Sequence, residues 1–275
     1  MLTRPIPSTG EKMPVVGLGT WPVFDVGADD RSREPLRGVV RRLVEAGGSM
    51  IDTSPMYGRA EGVTGDIVAE LALHKKVFLA TKVWISGRDN GVAQMARSAA
   101  LLKSPVIDLM QVHNLVDWRT QLATMRDMKA EGTLRYIGIT HYTTGSLTEL
   151  ARILEVEAGI DFVQCGYSLA TRAAETRLLP VCAARGVAVI VNQPLERGDL
   201  FRAARGKTLP GWAGDFDCES WAQLFLKYLL GDPAVTVLIP ATNKPDHMAD
   251  NLQAGSGRLP DAQQREQIRR LWDSL

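Results

Sequence analysis

The chain has 275 residues, of which 45% are hydrophobic, so it can bury a large core as one large domain or two small ones. Its 32 basic and 31 acidic residues leave a formal net charge of +1, too weak a field to recruit nucleic acid or an anionic membrane. No apolar run approaches the roughly 20 residues that a membrane span needs.

Three cysteines, Cys165, Cys182 and Cys218, are widely separated and match no metal-ligand spacing. We interpret them as reduced thiols and expect no metal site. Because residues 1–10 lack the apolar core of a signal peptide, we expect a cytoplasmic protein. A chain whose export signal had been removed would show the same pattern.

Short apolar runs rich in β-branched residues recur along the chain and predict strands. Several are near-continuous, as expected of parallel strands that are buried on both faces. In chain order they are Val15–Gly19, Ser49–Asp52, Val77–Lys82, Ile107–His113, Tyr136–Thr140, Phe162–Cys165, Val187–Val191 and Val235–Ile239.

Helical stretches lie between these runs, and glycines fall where the helices should stop. They are Arg37–Ala46, Val92–Leu102, Trp118–Ala130, Ser146–Glu155, Glu175–Ala184 and Glu219–Leu230, with a last helix at Ala262–Trp272. This alternation predicts an α/β fold, a (β/α)8 TIM barrel with an extra C-terminal helix, formed by residues 1–275 as a single domain. Residues 4–7 and 13–16 flank Ser8-Thr9-Gly10 and predict an N-terminal β-hairpin that closes the bottom of the barrel.

A doubly wound nucleotide-binding fold is the main alternative, and the sequence argues against it. Gly17-Leu18-Gly19 starts like a dinucleotide fingerprint, but Pro22 stands where the third glycine is required and no helix follows directly. There is also no Gly-Lys-Ser/Thr loop to bind phosphate. The barrel is therefore the favoured fold.

Four ionisable residues follow the predicted strand ends. Asp52 ends the second strand, Lys82 the third and His113 the fourth, while Tyr57 lies on the loop after Asp52. Each alone is typical of a turn, an edge charge or a packing residue. Because the carboxyl ends of barrel strands form the active face, their joint position predicts one catalytic site.

The chemistry of these four side chains indicates proton transfer. A free tyrosine has a pKa of about 10 and is a poor proton donor near neutrality. Lys82 beside it would favour the phenolate and lower the pKa of Tyr57, Asp52 would hold the amine charged, and His113 would orient the substrate oxygen. The reaction that this set suits is carbonyl reduction, in which hydride attacks carbon while Tyr57 protonates oxygen.

With motifs spread over almost the whole chain, the sequence resembles the aldo-keto reductase superfamily. The matching motifs are Gly17-Leu18-Gly19-Thr20-Trp21, Ile51–Gly58 with Ala60-Glu61, Thr81-Lys82, Gln111–Asn114, Ile137–Thr140, Val163–Ser168, Gln193-Pro194-Leu195 with Gly198, and Ile239–Thr242. The resemblance implies a (β/α)8 barrel, NADPH as the hydride donor, and a catalytic tetrad of Asp52, Tyr57, Lys82 and His113.

The resemblance also implies the contacts with the cofactor, with Gln164 bonded to the carboxamide and Tyr167 stacked on the nicotinamide. The nicotinamide end would meet Thr20, Trp21, Asp52, Thr140, His141, Gln164 and Tyr167. The pyrophosphate would meet Gln193, Pro194, Leu195 and Leu200. The adenosine end would meet Ile239, Thr242, Asn243, Lys244, His247 and Asn251.

Two positions depart from the family pattern. His141 stands where the family commonly has asparagine, and imidazole replaces that amide only in part. Ala241 stands where many members have a lysine that binds the 2′-phosphate of NADPH. Because Thr242, Asn243 and Lys244 can still offer donors at a helix start, we expect NADPH as the preferred cofactor, with NADH possible.

Four large side chains follow strand ends: Trp21, Met56, Trp84 and Trp118. We interpret them as walls of an apolar substrate pocket, although rim packing between loops fits them equally well.

The sequence thus predicts a carbonyl reductase, monomeric or weakly associating, that reduces small aldehydes or ketones. A nicotinamide-binding regulatory or structural protein of the same fold is the first alternative. A lyase or isomerase that uses Lys82 as a Schiff base is the second.

Overall fold

In the computed structural model, which describes residues 1–275, eight parallel strands form a barrel with helices between them. The strands are β1 (Thr3–Pro5), β2 (Lys12–Pro14), β3 (Leu18–Gly19), β4 (Met50–Asp52), β5 (Phe78–Val83), β6 (Ile107–His113), β7 (Leu134–His141), β8 (Phe162–Gly166), β9 (Ala188–Asn192) and β10 (Val235–Leu238). The helices are α1 (Asp30–Glu45), α2 (Ala60–Glu70), α3 (Arg88–Leu101), α4 (Trp118–Ala130), α5 (Leu147–Val156), α6 (Leu178–Arg185), α7 (Asp199–Ala203), α8 (Trp221–Leu230), α9 (Pro245–Gln253) and α10 (Ala262–Asp273).

The barrel strands β3 to β10 pair in sequence order, each parallel to the next. Single parallel bridges, Val16 to Leu238 and Gly19 to Ala241, join the first strand to the last. The predicted (β/α)8 barrel is therefore confirmed. The first predicted strand is the least regular, since only Leu18–Gly19 of it forms a continuous ladder.

The N-terminal hairpin is also confirmed, because β1 and β2 pair antiparallel around residues 6–11. Ile6 and Met13, one from each side of the hairpin, are buried in a cluster with Phe78, Tyr136 and Phe162. These aromatic residues come from β5, β7 and β8 and lie near the amino ends of those strands. The hairpin thus seals the bottom of the barrel with apolar side chains, which leaves the top as the open face.

Several helices differ from the sequence-based expectation, and α7 and α9, like α2, had no predicted bounds. Helix α1 begins at Asp30 and continues through Pro35, seven residues ahead of the predicted start at Arg37. The Asp29 carboxylate caps it by accepting a hydrogen bond from the Ser32 N–H at 2.9 Å. Helix α2 had no predicted bounds, because Gly62 and Gly65 weaken its helical pattern.

Gly65 is required for the packing of α2 against the end of α3. A Cβ atom there would overlap the Leu101 carbonyl oxygen and lie 2.8 Å from the Cα atom of Leu102. A Cβ atom at Gly62 would instead meet only the tip of the Leu101 side chain, at an ordinary 3.7 Å.

None of the helices in the fold combines the length and apolar character needed to cross a membrane.

We expect Gly65→Ala to lower the free energy of unfolding by about 1–3 kcal/mol, because the backbone of residues 101–102 must move to admit the methyl group. Gly62→Ala is the matched control. It should leave the stability unchanged or raise it by up to about 1 kcal/mol, since alanine favours the helix. Urea denaturation of both variants measures the difference, and equal midpoints would show that this packing is looser than described.

Candidate active site

A buried ion pair lies at the centre of the open face. Asp52 is the last residue of β4, and Lys82 comes from the neighbouring strand β5. The Lys82 Nζ donates to Asp52 Oδ2 and to the Thr53 carbonyl oxygen, each at 2.7 Å. Both side chains are almost fully buried, at 1% and 3% exposure. Burial opposes the charge on Lys82, but the facing charge of Asp52 raises its pKa above the ordinary value, so the amine stays protonated.

Tyr57 packs over this ion pair. The Lys82 Nζ lies 5.0 Å from the centroid of the phenol ring. Burial raises the pKa of Tyr57 above its ordinary value, and the opposing positive charge of Lys82 does not reverse this, so the predicted lowering of that pKa is wrong. The burial effect is the larger of the two, so the phenol is protonated at neutral pH.

His113 ends β6 and faces Tyr57, with ring centroids 5.9 Å apart and planes at 88°. Burial, and then the charges of Lys82 and His141, lower the pKa of His113 from 6.5 to about 3. The imidazole is therefore neutral at physiological pH. The structure thus brings all four tetrad residues predicted from the sequence into one cluster.

Two amide side chains bond to the second oxygen of Asp52, and a third amide bonds to one of those two. Gln164 and Gln111 donate to Asp52 Oδ1 at 2.8 and 3.1 Å. Asn192 in turn donates to Gln164 Oε1 at 3.3 Å, and the Thr140 hydroxyl lies 3.4 Å from the same oxygen. Gln164, predicted to bind the cofactor carboxamide, is hydrogen-bonded to the Asp52 carboxylate.

Gln111 and Asn192 were not predicted as site residues. Gln111 precedes His113 by two positions on β6, so both side chains point into the barrel, and strand periodicity could have identified it. The register sets Gln111 opposite Gly138, where a Cβ atom would lie 3.2 Å from the Gln111 Cγ and 2.8 Å from the Phe162 carbonyl oxygen. The glycine therefore leaves room for the amide.

The predicted nicotinamide-end residues differ in their surroundings. The Thr20 hydroxyl donates to the Asp52 carbonyl oxygen at 3.0 Å, so it lies beside the tetrad. Trp21 is 39% exposed, and the Arg197 guanidinium stacks 4.5 Å from its ring centroid. His141 ends β7, where its Nδ1 accepts a hydrogen bond from the Thr143 N–H at 3.2 Å.

Tyr167 is fully buried, and its hydroxyl faces away from the tetrad. It donates to Glu175, a carboxylate that also accepts from the Tyr228 hydroxyl at 2.7 Å. Arg265 of α10 donates to the Tyr167 hydroxyl at 2.8 Å. This cluster attaches the last helix to the barrel, and stacking of Tyr167 on a nicotinamide remains a prediction.

The loop after β9 contains the residues predicted to follow the pyrophosphate: Gln193, Pro194, Leu195 and Leu200. Its backbone turns sharply, with positive φ at Gln193, Glu196 and Arg197. The Ser168 hydroxyl donates to the Glu196 carboxylate at 2.5 Å and ties this loop to the segment after β8. Leu200 is buried at the start of α7.

The residues predicted to hold the adenosine end lie between β10 and α9. Ile239 and Thr242 are buried, and the Thr242 hydroxyl accepts from the Lys244 N–H at 3.1 Å. Asn243, Lys244 and His247 are exposed, and Asn251 is buried. Since Pro245 is the first residue of α9, Lys244 stands at the positive end of the helix.

The predicted substrate residues separate into two groups. Trp21, Met56 and Trp84 are exposed at 39%, 43% and 39%. Trp118 begins α4 and is buried in the main core, with the Arg119 guanidinium 4.2 Å from its ring centroid. Tyr142, which was not predicted, is half-exposed and stacks on His141.

No group of three or more His, Cys, Asp or Glu side chains could hold a metal ion.

Comparison with known proteins accounts for this arrangement. The sequence profile of the Aldo/keto reductase family matches residues 15–273. The chain belongs to the aldo/keto reductase family. The sequence-based prediction of this family, and of an oxidoreductase enzyme, is thereby confirmed.

Relatives of this aldo/keto reductase include an uncharacterized oxidoreductase of Schizosaccharomyces pombe, 28% identical over 90% of this chain and 80% of the relative. The methylglyoxal reductase YeaE of Escherichia coli is 29% identical over 69% of this chain and 67% of its own length. An NADH-specific methylglyoxal reductase of the same species is 26% identical over 76% and 72%. Among solved structures, an aldo-keto reductase of Klebsiella pneumoniae in complex with NADPH has the same fold, with a TM-score of 0.83 and 24% identity over 99% of this chain and 96% of that one.

The His113 imidazole should remain neutral between about pH 5 and pH 8, because its pKa is lowered to about 3. The unfolded chain binds a proton at this residue below its ordinary pKa of 6.5. The stability that neutral His113 contributes is therefore complete above that pH and is lost as the pH falls towards 3. NMR titration of the imidazole protons measures this directly. A His113 inflection between pH 5 and 8 would contradict the lowered pKa.

Proposed function

We propose that this chain is an NADPH-dependent carbonyl reductase that reduces small aldehydes or ketones to alcohols, with Tyr57 as the general acid. The observation that carries the proposal is the buried Asp52–Lys82 ion pair beneath a protonated phenol and a neutral imidazole. A regulatory protein of the same fold would have no need to bury these charges beside a phenol.

The residues of the open face fit NADPH. The amide oxygens of Asn114 and Asn192 are buried without a hydrogen-bond partner; Asn114 directly follows β6, and Asn192 is the last residue of β9. A buried acceptor without a donor is costly, and a carboxamide carries N–H donors that suit it. At the other end, Lys244 and the amino end of α9 offer positive charge to a phosphate.

The cofactor contacts follow from these positions. Thr20, Trp21, Thr140, His141 and Gln164 would hold the nicotinamide end. The loop with Gln193, Pro194, Leu195 and Leu200 would follow the pyrophosphate, and Ile239, Thr242, Asn243, Lys244, His247 and Asn251 would hold the adenosine. When bound, NADPH supplies a hydride to the carbonyl carbon.

Tyr57 supplies the proton in this proposal. Its Oη holds a proton at neutral pH because the phenol is buried. As negative charge develops on the substrate oxygen, that proton moves from Tyr57 to the oxygen, and the Lys82 ammonium stabilises the phenolate that remains. Asp52 and the Thr53 carbonyl hold Lys82 Nζ in place for this role. His113, which is neutral, donates a hydrogen bond that orients the carbonyl oxygen.

The substrate class is proposed from the rim of the site. Trp21, Met56 and Trp84 are exposed apolar side chains on the loops that follow strand ends. They offer exposed apolar side chains near the site, which suit small uncharged carbonyl compounds. The names of two relatives, both methylglyoxal reductases, support a small aldehyde or ketoaldehyde.

Replacement of Tyr57 by phenylalanine should reduce turnover by about 10²-fold or more, because it removes the acid while keeping the ring. Turnover is measured as loss of NADPH absorbance with a reactive aldehyde, and NADPH binding as quenching of tryptophan fluorescence. Binding should stay close to that of the unsubstituted protein. Tyr136→Phe is the matched control, since its hydroxyl bonds to Glu11 at the sealed end of the barrel.

Full turnover in Tyr57→Phe would refute the role of the phenol. NADPH binding without turnover in the unsubstituted protein, over a panel of aldehydes and ketones, would favour the regulatory alternative. Trapping of a substrate on Lys82 by borohydride would favour Schiff-base chemistry.

Lys244→Ala should raise the dissociation constant of NADPH roughly tenfold, because a charge-assisted contact with the 2′-phosphate is lost. The dissociation constant of NADH, which lacks that phosphate, should change little. Lys76→Ala is the control, since Lys76 is exposed just ahead of β5, at the opposite end of the barrel. An equal loss of affinity for both cofactors would show that Lys244 does not contact the 2′-phosphate.

A further inference from the structure

Ser54 makes a hydrogen bond to the catalytic imidazole. It follows Asp52 by two residues and is fully buried. Its Oγ lies 3.1 Å from Nδ1 of His113. The Met56 N–H donates to the same Oγ at 3.2 Å. The serine therefore stands between a fixed backbone donor and the imidazole ring.

These two contacts determine the direction of the bond to His113. The Met56 N–H can only donate, so the Ser54 oxygen is an acceptor in that contact. The Ser54 hydroxyl proton has one acceptor within hydrogen-bonding distance, which is His113 Nδ1. If Nδ1 carried a proton instead, two donors would point at the Ser54 oxygen and its own buried proton would have no acceptor. Loss of that buried hydrogen bond would disfavour the Nδ1–H tautomer by roughly tenfold or more, so Nδ1 is the acceptor.

A neutral imidazole carries one proton, on either Nδ1 or Nε2. His113 is neutral, and its Nδ1 accepts from Ser54. The proton must therefore be on Nε2, which makes no hydrogen bond within the protein. His113 ends β6, so this nitrogen lies at the open face of the barrel. That nitrogen is then a donor for an incoming carbonyl oxygen.

We propose that Ser54 is a positioning residue that fixes the Nε2–H tautomer of His113, so that the imidazole donates a hydrogen bond to the substrate carbonyl. The proposal rests on the proposed carbonyl reductase function for the role of that donor. The tautomer itself is a property of the free protein. Ser54 thus acts through His113 without contact with the reacting atoms.

The direct test is NMR of the imidazole nitrogens, which is practical because the chain has only four histidines. In the unsubstituted protein, His113 should show a protonated Nε2 and an unprotonated, hydrogen-bonded Nδ1. In Ser54→Ala, a substantial population of the Nδ1–H form should appear. Ser54→Thr, which keeps the hydroxyl, should restore the Nε2–H form. Thr64→Val is the matched control, because Thr64 is a buried hydroxyl without a partner.

Kinetics supply the second measurement. Ser54→Ala should lower kcat roughly tenfold, with the NADPH dissociation constant unchanged, because only the donor to the carbonyl is disturbed. Ser54→Thr should recover most of that loss. A merely structural role would instead lower stability and cofactor binding in Ser54→Ala.

Two results would overturn the proposal: an Nδ1–H form of His113 in the unsubstituted protein, or an unchanged tautomer and kcat in Ser54→Ala. Failure of the proposed function gives a different pattern. In that case the tautomer shifts with Ser54→Ala, while the unsubstituted protein reduces no carbonyl compound.

Discussion

The ion pair between Asp52 and Lys82 is the interaction on which the open face of the barrel depends. Removing two charges from water is expensive, and their mutual attraction offsets this only when the remaining polar atoms are also satisfied. Here they are. Lys82 reaches Asp52 and a backbone carbonyl, and the second oxygen of Asp52 accepts from Gln111 and Gln164. The amides thus complete a network in which each member limits the freedom of the others.

The barrel interior is apolar at its lower end and polar at its upper end. The reason is that the inward-facing residues of the strands change from apolar to polar along the strand. On β5, Phe78 and Ala80 belong to the apolar cluster that Ile6 of the hairpin covers, and the next inward residue is Lys82. On β6 the apolar Leu109 is likewise followed by Gln111. The polar upper layer lies directly on this buried apolar cluster. The ion pair therefore lies next to an apolar, low-dielectric cluster, where its electric field acts strongly on Tyr57.

The strands and the tetrad could be predicted from sequence because both depend on local pattern. Buried parallel strands are apolar runs, and a charged residue that ends such a run must face the active end. Other features depend on contacts between distant segments. The hydroxyl of Tyr167 bonds to Glu175, whose carboxylate also accepts from Tyr228 of α8 and Arg265 of α10. Helix α2 contains glycine because Gly65 meets the backbone of α3. Gln111 has a local signal, because its spacing of two residues from His113 on β6 puts both side chains on the same face of the strand.

The net effect on Tyr57 shows why burial and charge are both needed. The sequence predicted that Lys82 lowers the pKa of the phenol, but burial raises that pKa by more than the lysine lowers it. In the proposed reaction Tyr57 is the general acid, and its raised pKa keeps the proton bound at neutral pH until the substrate oxygen becomes basic. In the same proposal, the charge of Lys82 would stabilise the phenolate once the proton leaves. An interaction stronger in the transition state than in the ground state is what accelerates a reaction, and the geometry of Lys82 beneath Tyr57 meets that condition.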